Sequence, residues 1–459
     1  MSTLAEPDFT ELESRVTALV TPDAPRYDDA RSSRIWNQRL ALERRPAAIV
    51  AVRDADEAVE TIRFAKQAGL KLTVRGHGHN YEAAAARDGT LMLDIFALDS
   101  LEIDREARTA WAGAAVSGGK LLEAIEPLGL AFPIGHCSNV PLSGYVLSGG
   151  FGWNAGEWGP ATANVLAVEL VTAAGEHLRV DAENHADLFW AARGSGSGFF
   201  AAILAYKLKL HDLPKTTYTW GATFTADSAP VLAGWLDEAT ARTDPAAEII
   251  CLVGADHHSG KPAVIVRASI TGASVEDARA KIAAFRDPPA EATIIEGPTA
   301  EDLDFAKLTK LSAMPNGKRV KADQLWSSGT LGDMLLAVQH LATGASKSSS
   351  INLISLGGGA TIPNCGPGGN CALSLGGCTG AGIYAMWDDA DDDEHHFAWV
   401  READAALAPF RIGRYVGEAD LSAGPERVED CFAPGVLERI ESLRAEWDPE
   451  NLFGGFPTA

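Results

Sequence analysis

The sequence lacks the features that would place the protein in a membrane or on a nucleic acid. It contains no apolar run of roughly 18 or more residues, the length that spans a bilayer. Met1 to Asp29 has no basic stretch followed by an apolar core, so no secretory signal is visible. Basic residues are scarce, with 39 Lys and Arg against 62 Asp and Glu and a net charge of −23. Because nucleic acids and anionic membranes bind basic surfaces, we expect neither as a partner, and a cytoplasmic location is the default.

Cysteine is also scarce, with six residues in 459. An even number is compatible with disulfides, but a large cytosolic protein is expected to keep its thiols reduced. Cys365, Cys371 and Cys378 lie close together in a glycine-rich stretch, at spacings that do not fit a two-residue zinc knuckle. We therefore expect no metal site and interpret this stretch as a packed loop.

The length of the chain predicts more than one domain, and 45 glycines predict many loops. Short strand and helix patterns alternate up to about residue 214, whereas long strand-like runs alternate with helices after it. The pattern predicts a helix around 301–311, and the acidic run Asp388 to Glu394 is interpreted as a solvated loop. We predict an α+β protein in which 1–214 and 411–459 form one domain. Residues 215–410 form an inserted antiparallel sheet covered by helices.

Several glycine-rich runs have the composition of phosphate-binding loops. Gly194 to Gly198 resembles a dinucleotide fingerprint, but a helix precedes it and a strand follows, which is the reverse of that motif. Gly113 to Lys120 lacks the Ser or Thr that binds magnesium in a phosphate loop. Backbone N–H groups of such loops still bind pyrophosphate in other folds. The candidates are Arg75 to His79, Ser117 to Gly119 and Ser148 to Gly152.

Two nucleophilic side chains lie in such runs. His79 lies in Val74-Arg75-Gly76-His77-Gly78-His79-Asn80, and Cys137 lies in Gly135-His136-Cys137-Ser138-Asn139-Val140. An imidazole and a thiolate can each be alkylated by the electron-poor ring of a flavin. The pair therefore predicts a flavin held by two covalent bonds, and an oxidoreductase. The alternatives are a loop histidine bonded to backbone and a cysteine that only packs.

These runs resemble those of the vanillyl-alcohol-oxidase-type FAD-linked oxidases, specifically the berberine-bridge-enzyme-like branch. The similarity is densest over 45–212 and returns over 412–456. The matching strings are Trp36 to Pro46, Arg75 to Asn80, Cys137 to Gly152, Gly159 to Asn164, Asp187 to Gly194 and Trp447 to Phe453. The resemblance implies a two-part FAD-binding domain, without a Rossmann fold, that is interrupted by a substrate domain.

By this resemblance, His79 bonds the flavin 8α carbon and Cys137 bonds its C6. His77 replaces what is usually a glycine and offers a second histidine, but the position favours His79. His136 is a candidate for lowering the pKa of the adjacent thiol. The other residues expected at FAD are Arg75, Gly76, Gly78, Asn80, Val140, Ser143, Gly144, Ser148, Gly149, Gly150, Gly152 and Asn451.

The resemblance also implies the reaction, which is hydride transfer from an alcohol or amine C–H of a sugar or secondary metabolite to FAD. In the family, a valine three residues after the cysteine accompanies reactivity with oxygen, and Val140 occupies that place. We therefore expect an oxidase that produces hydrogen peroxide, with simple packing as the alternative role of Val140. A dehydrogenase or an oxidative cyclase with another acceptor stays open. The sequence is compatible with a homodimer.

The catalytic base is where the sequence departs from the family. Relatives have Tyr-x-Asn-Tyr-x-Asp before the last helix, whereas this chain has Tyr415-Val416-Gly417-Glu418-Ala419-Asp420. A carboxylate in an apolar pocket has a raised pKa suited to a base, so Glu418 is the candidate and Tyr415 the second one. A surface position for Glu418 is the alternative. Without a base, the protein would bind a flavin without redox turnover.

Overall fold

The computed structural model describes residues 7–256, 258–303, 305–308, 315–344, 346–360, 370–377 and 379–458. Its helices are α1 Thr10–Glu13, α2 Tyr27–Ser32, α3 Gln38–Glu43, α4 Ala55–Gln67, α5 Gly118–Ile125, α6 Leu142–Ser148, α7 Ala155–Trp158, α8 Ala186–Ala191, α9 Ala229–Ala241, α10 Val275–Lys281, α11 Phe305–Leu308, α12 Leu331–Val338, α13 Asp393–Leu407, α14 Pro425–Glu429 and α15 Val436–Trp447. Its strands are β1 Ala18–Val20, β2 Ala48–Ala51, β3 Leu72–Arg75, β4 Leu91–Asp94, β5 Leu101–Asp104, β6 Thr109–Gly113, β7 Leu130–Ala131, β8 Val165–Thr172, β9 His177–Val180, β10 Ala201–Lys209, β11 His211–Asp212, β12 Thr216–Thr225, β13 Glu248–Ala255, β14 Pro262–Gly272, β15 Ile294–Leu303, β16 Arg319–Ser327, β17 Ser350–Leu356, β18 Thr379–Trp387 and β19 Arg411–Gly413.

The first part of the chain builds two sheets around one core. One has the order β1-β2-β4-β3, with β2, β4 and β3 parallel, and the other has the antiparallel order β5-β6-β10-β8-β9. α4 begins after Asp54, whose carboxylate accepts a hydrogen bond from the Glu57 amide. Its apolar face buries Ile62 in the same cluster as Leu72 and Val168. Local patterning and burial thus agree for this part of the fold.

β3 leads directly into the first glycine-rich loop. Because β3 and β4 are parallel, Arg75 and Asp94 lie side by side at their carboxyl ends, and Nη1 of Arg75 is 2.9 Å from Oδ1 of Asp94. Both side chains are buried. A buried, hydrogen-bonded ion pair holds its partners in one geometry. It therefore fixes the point at which the chain leaves the sheet for Gly76 to Asn80.

An eight-stranded antiparallel sheet follows, in the order β15-β12-β14-β13-β17-β18-β16-β19. One face buries residues such as Ile249 and Ile383 against α9, α10, α12 and α13. Because side chains alternate along a strand, Ile250 and Tyr384 point to the opposite face, where they meet the glycine-rich loops. This arrangement confirms the predicted α+β fold with a helix-covered antiparallel sheet. The domain boundaries stay a prediction. The last strand of the sheet along the chain is β19, at the edge of the sheet.

Two local predictions are wrong. Residues 301–303, predicted to begin a helix, form the end of β15, because this strand pairs with β12 over Thr217 to Phe224. α11 is the helical part of the predicted segment, and 309–311 lie outside the described residues. The second wrong prediction is that the whole acidic run Asp388 to Glu394 is a loop. Asp393 and Glu394 form the first turn of α13, where the helix dipole favours negative charge.

The cysteines differ from the expectation of reduced thiols. Cys371 is disulfide-bonded, and a cross-link stabilises a folded chain by limiting its unfolded conformations. Cys251 and Cys431 are buried thiols, whereas Cys365 and Cys378 lie outside the described residues. In the described ranges, no group of three His, Cys, Asp or Glu side chains is placed to hold a metal. No helix in those ranges has the length and apolar character needed to cross a bilayer.

Candidate active site

A cavity of about 390 Å³ lies between the glycine-rich loops and the uncovered face of the eight-stranded sheet. His79 and Cys137 both line it, although they come from different loops, and Val140, Tyr415 and Glu418 line it as well. A second cavity of about 610 Å³ is lined mainly by charged side chains and contains none of the predicted site residues. The first cavity therefore brings the predicted attachment and catalytic residues together.

The first loop places a neutral imidazole in this cavity. Gly78 has a φ of +76°, and a Cβ there would overlap the carbonyl oxygen of Arg34, so glycine alone fits. Burial, followed by the charges of His77 and Arg75, lowers the pKa of His79 to about 4. His79 is therefore uncharged at neutral pH, and its ring retains a nitrogen lone pair for attack on an electrophile.

The second loop is tied to the sheet by an ion pair. Nε2 of His136 lies 2.9 Å from Oε1 of Glu248, the first residue of β13, and its ring contacts Trp153 with centroids 4.5 Å apart. Burial lowers the pKa of His136, but the carboxylates of Glu248 and then Glu418 outweigh it, so the pKa is raised above its ordinary value. The imidazole that precedes Cys137 in the chain therefore binds a proton more readily than an isolated histidine does. Its action on the thiol stays a prediction.

Glu418 lies inside the cavity and not on the surface. Its Oε2 accepts a hydrogen bond of 2.5 Å from the hydroxyl of Tyr384 on β18. Burial raises the pKa of Glu418 above its ordinary value, although this hydrogen bond and the charge of His136 act in the opposite direction. Burial also raises the pKa of Tyr384 well above its usual range, so its hydroxyl stays protonated and donates. The carboxylate of Glu418, held by the hydroxyl of Tyr384, is therefore placed to accept a proton.

Tyr415 supports the loop that contains the second glycine cluster. Its hydroxyl accepts a hydrogen bond of 3.1 Å from the Gly150 amide. Its ring packs edge-on against Phe151, with centroids 5.1 Å apart, and lies 6.0 Å from the ring of Trp326. With its hydroxyl engaged in this way, Tyr415 positions the loop, and Glu418 is the better candidate base.

Comparisons with known proteins agree with this geometry. Residues 46–181 match the family described as "FAD binding domain". The chain is 26% identical over 458 residues to (R)-6-hydroxynicotine oxidase of Paenarthrobacter nicotinovorans, with 95% of this chain and 94% of the relative covered. It is 25% identical over 453 residues to an FAD-linked oxidoreductase of Hypoxylon pulicicidum, with 95% of each covered. The chain therefore contains an FAD-binding domain and is similar over nearly its whole length to FAD-linked oxidoreductases.

Solved structures show the same fold. A berberine-bridge-enzyme-like protein of Arabidopsis thaliana superposes with a TM-score of 0.84 at 21% identity, with 98% of this chain and 99% of that one covered. Such a likeness extends over both the glycine-rich loops and the large sheet. The predicted combination of an FAD-binding part and an antiparallel-sheet part is therefore confirmed.

The cavity has unsatisfied polar atoms that suit FAD. Oγ of Ser197 and Nε of Arg87 are buried without a hydrogen-bond partner among the described residues, and both side chains line the cavity. The two Nη atoms of Arg87 already donate to the carbonyls of Gly454 and Gly455, at 3.1 and 2.6 Å. Buried polar groups require partners, and the phosphate and hydroxyl oxygens of FAD supply them. The residues present therefore fit this cofactor.

Most of the predicted cofactor residues reach the cavity. In addition to His79, Cys137 and Val140, the residues that line it are Gly76, His77, Gly78, Asn80, Ser143, Gly144 and Ser148. Arg75, Gly149, Gly150, Gly152 and Asn451 are not among the lining residues. Arg75 and Gly150 instead hold the loops through Asp94 and Tyr415. Ser117 caps α5 by accepting a hydrogen bond from the Lys120 amide, and it is not among the lining residues.

Several lining residues were missed by sequence reasoning. Tyr384 and Asn352 lie on β18 and β17 and face the cavity. The alternation of side chains along a strand predicts which face of the sheet each residue is on, but it does not predict which cavity that face lines. Gly196 and Ser197 line the cavity from a 3₁₀ turn, so the run rejected as a dinucleotide fingerprint still contributes.

Proposed function

We propose that the protein is an oxidase with FAD bound covalently to His79 and Cys137. It oxidises an alcohol or amine C–H bond of a small molecule, with oxygen as the acceptor and hydrogen peroxide as the product. The observation that supports this most is that Glu418 lines the same cavity as His79 and Cys137. A base and two attachment residues in one cavity are what such a reaction requires. The similarity to (R)-6-hydroxynicotine oxidase favours an oxidase.

Glu418, Tyr384 and Tyr415 have different roles in the proposed reaction. FAD, when bound, supplies a ring that accepts a hydride and passes two electrons to an acceptor. Glu418 takes the proton from the O–H or N–H of the substrate, and Tyr384 holds the carboxylate in place through its hydroxyl. Tyr415 fixes the glycine-rich loop through Gly150. Aromatic side chains line the cavity, and electrostatic interactions are stronger beside such apolar groups than in water.

Val140 supports oxygen as the acceptor. It lines the cavity, and its carbonyl accepts a hydrogen bond of 3.0 Å from the Gly118 amide, so its backbone position is fixed. A valine at this place leaves more space than a leucine would. We therefore assign Val140 to keeping a path for oxygen open.

Anaerobic mixing followed by admission of air tests this function. Purified yellow protein is mixed without oxygen with a panel of alcohols and amines, and the flavin absorbance is followed. We expect at least one compound to bleach the flavin, and air to restore the colour with one hydrogen peroxide per bleached flavin. Restoration by an artificial acceptor but not by air would identify a dehydrogenase and contradict the oxidase. Failure of every donor to bleach the flavin would contradict redox turnover.

A further inference from the structure

The polar atom with no assigned role in the cavity is Oδ1 of Asn352. It is buried without a hydrogen-bond partner among the described residues. Asn352 pairs with Gly382 across β17 and β18, and Tyr384 is the next residue of β18 on the same face. Such diagonal neighbours on a sheet lie within reach of one molecule. The unsatisfied acceptor therefore lies beside the tyrosine that binds Glu418.

The wall next to Glu418 is aromatic. The ring of Tyr81 lies 5.7 Å from that of Tyr384 and 5.8 Å from that of Trp36. All three rings line the cavity. The faces of aromatic rings attract cations, and most strongly where water is excluded. This wall is suited to a positively charged group.

The charges around Glu418 also favour a cation. Glu418 and Glu248 contribute two carboxylates, against the one imidazole of His136. Arg87 is the sole Lys or Arg among the described lining residues, and it is bound to the carbonyls of Gly454 and Gly455. His136 is already paired with Glu248, so a cationic ligand would further stabilise the charged form of the buried Glu418 carboxylate. The net charge of −23 also attracts cations to the protein as a whole.

We propose that the substrate is a basic amine, bound as its ammonium ion between Glu418 and the aromatic wall, with Asn352 accepting a hydrogen bond from the same molecule. This proposal rests on the oxidase function proposed above. An N–H proton of the ammonium passes to the Glu418 carboxylate and leaves the neutral amine. The α-carbon then gives up its hydride, with two electrons, to FAD, and the amine becomes an iminium ion that water hydrolyses. Oxygen takes up the two electrons and two protons and becomes hydrogen peroxide.

Ligands that cannot be oxidised separate binding from turnover. α,α-Dimethylbenzylamine and 2-phenyl-2-propanol have the same shape and no α C–H, and differ in an ammonium against a hydroxyl. Each is titrated into the FAD-loaded protein, with benzoate as the anion, and the flavin spectrum is followed. Charge-assisted hydrogen bonds are roughly twice as strong as neutral ones, so we expect the amine to bind about tenfold more tightly than the alcohol. Equal or tighter binding of the alcohol or benzoate, or no binding of the amine, would overturn the proposal.

Variants of Asn352 test whether this side chain binds the amine. Asn352→Asp adds a negative charge and should tighten amine binding by about tenfold, with the alcohol unchanged, whereas Asn352→Leu should weaken it by about tenfold. Ser14→Asp adds the same charge at an exposed position outside the lining residues, and should change neither. Weaker amine binding in Asn352→Asp, or unchanged amine binding in flavin-loaded Asn352→Leu, would contradict the assignment.

The two proposals fail in different ways. Tight binding of the amine, together with no peroxide from any oxidisable amine, would refute the oxidase and leave the binding site intact. Peroxide from alcohols, together with no preference for the ammonium ligand, would support the oxidase and refute the amine substrate.

Discussion

Replacement of Glu418 by Gln is the perturbation that bears most directly on the chemistry. The amide oxygen of Gln still accepts the hydrogen bond that Tyr384 now gives to Glu418 at 2.5 Å, so the geometry of the cavity is retained. The amide does not accept a proton from the substrate. A positioned general base contributes about 10²- to 10⁴-fold to the rate, so we expect kcat/KM to fall by about that factor. Flavin content should not change.

The pH dependence provides the sharper measurement. Protonation of Glu418 removes the base, so kcat/KM of the natural protein falls as the pH drops through its pKa. Because burial raises that pKa, the fall occurs at a higher pH than for an ordinary Glu. Tyr384→Phe removes a hydrogen bond that lowers the pKa, so it should move the fall to still higher pH. In Glu418→Gln, kcat/KM should not fall over this pH range.

The assay is peroxide release, with any compound that bleaches the flavin as the substrate, measured across a pH series for the three proteins. Flavin absorbance per protein serves as the control for folding. Glu418→Gln with kcat/KM within about threefold of the natural protein would refute the role of Glu418, because a base contributes far more than that. If the fall of kcat/KM occurs at lower pH in Tyr384→Phe than in the natural protein, the proposed effect of the Tyr384 hydrogen bond on the pKa of Glu418 would be refuted.

Three further results are expected. Val140→Leu should slow restoration of the flavin colour by air without slowing anaerobic bleaching, and equal slowing of both would contradict the oxygen path. Asp323→Asn should lower the unfolding temperature, because Asp323 pairs at 3.0 Å with Arg414, which is 1% exposed, and breaking such a pair costs about 3–5 kcal/mol. Asp388→Asn, which breaks an exposed pair with Lys318, is the control and should change little. Gly78→Ala should yield protein with little bound flavin, because its Cβ would overlap the Arg34 carbonyl, and full flavin content would contradict the required loop shape.

The loops that hold the cofactor were predictable because their signals are local. The runs around His79 and Cys137 combine a nucleophile with glycines, and Gly78 needs a φ of +76° that other residues rarely adopt. The helix α4 and the strand β3 also follow from periodicity and burial within one short segment. For these elements the residues that decide the structure are adjacent in the sequence.

The substrate side was not predictable, because it depends on contacts between distant strands. β18 contains Gly380 and Gly382, which weaken a strand pattern, and it forms because β16 and β17 pair with it on both sides. Tyr384 reaches Glu418 across that sheet. No spacing in the sequence connects the two residues. The same holds for the pair of His136 with Glu248, which joins a loop to β13.

Acid precipitation of the purified protein tests the central claim most directly. The protein is denatured in acid and spun, and the flavin-bearing peptides of the pellet are identified by mass. We predict that the yellow colour stays in the pellet and that FAD is found on peptides containing His79 and Cys137. Colour in the supernatant would contradict covalent attachment at both residues, and protein that stays colourless even after addition of FAD would contradict the oxidase itself.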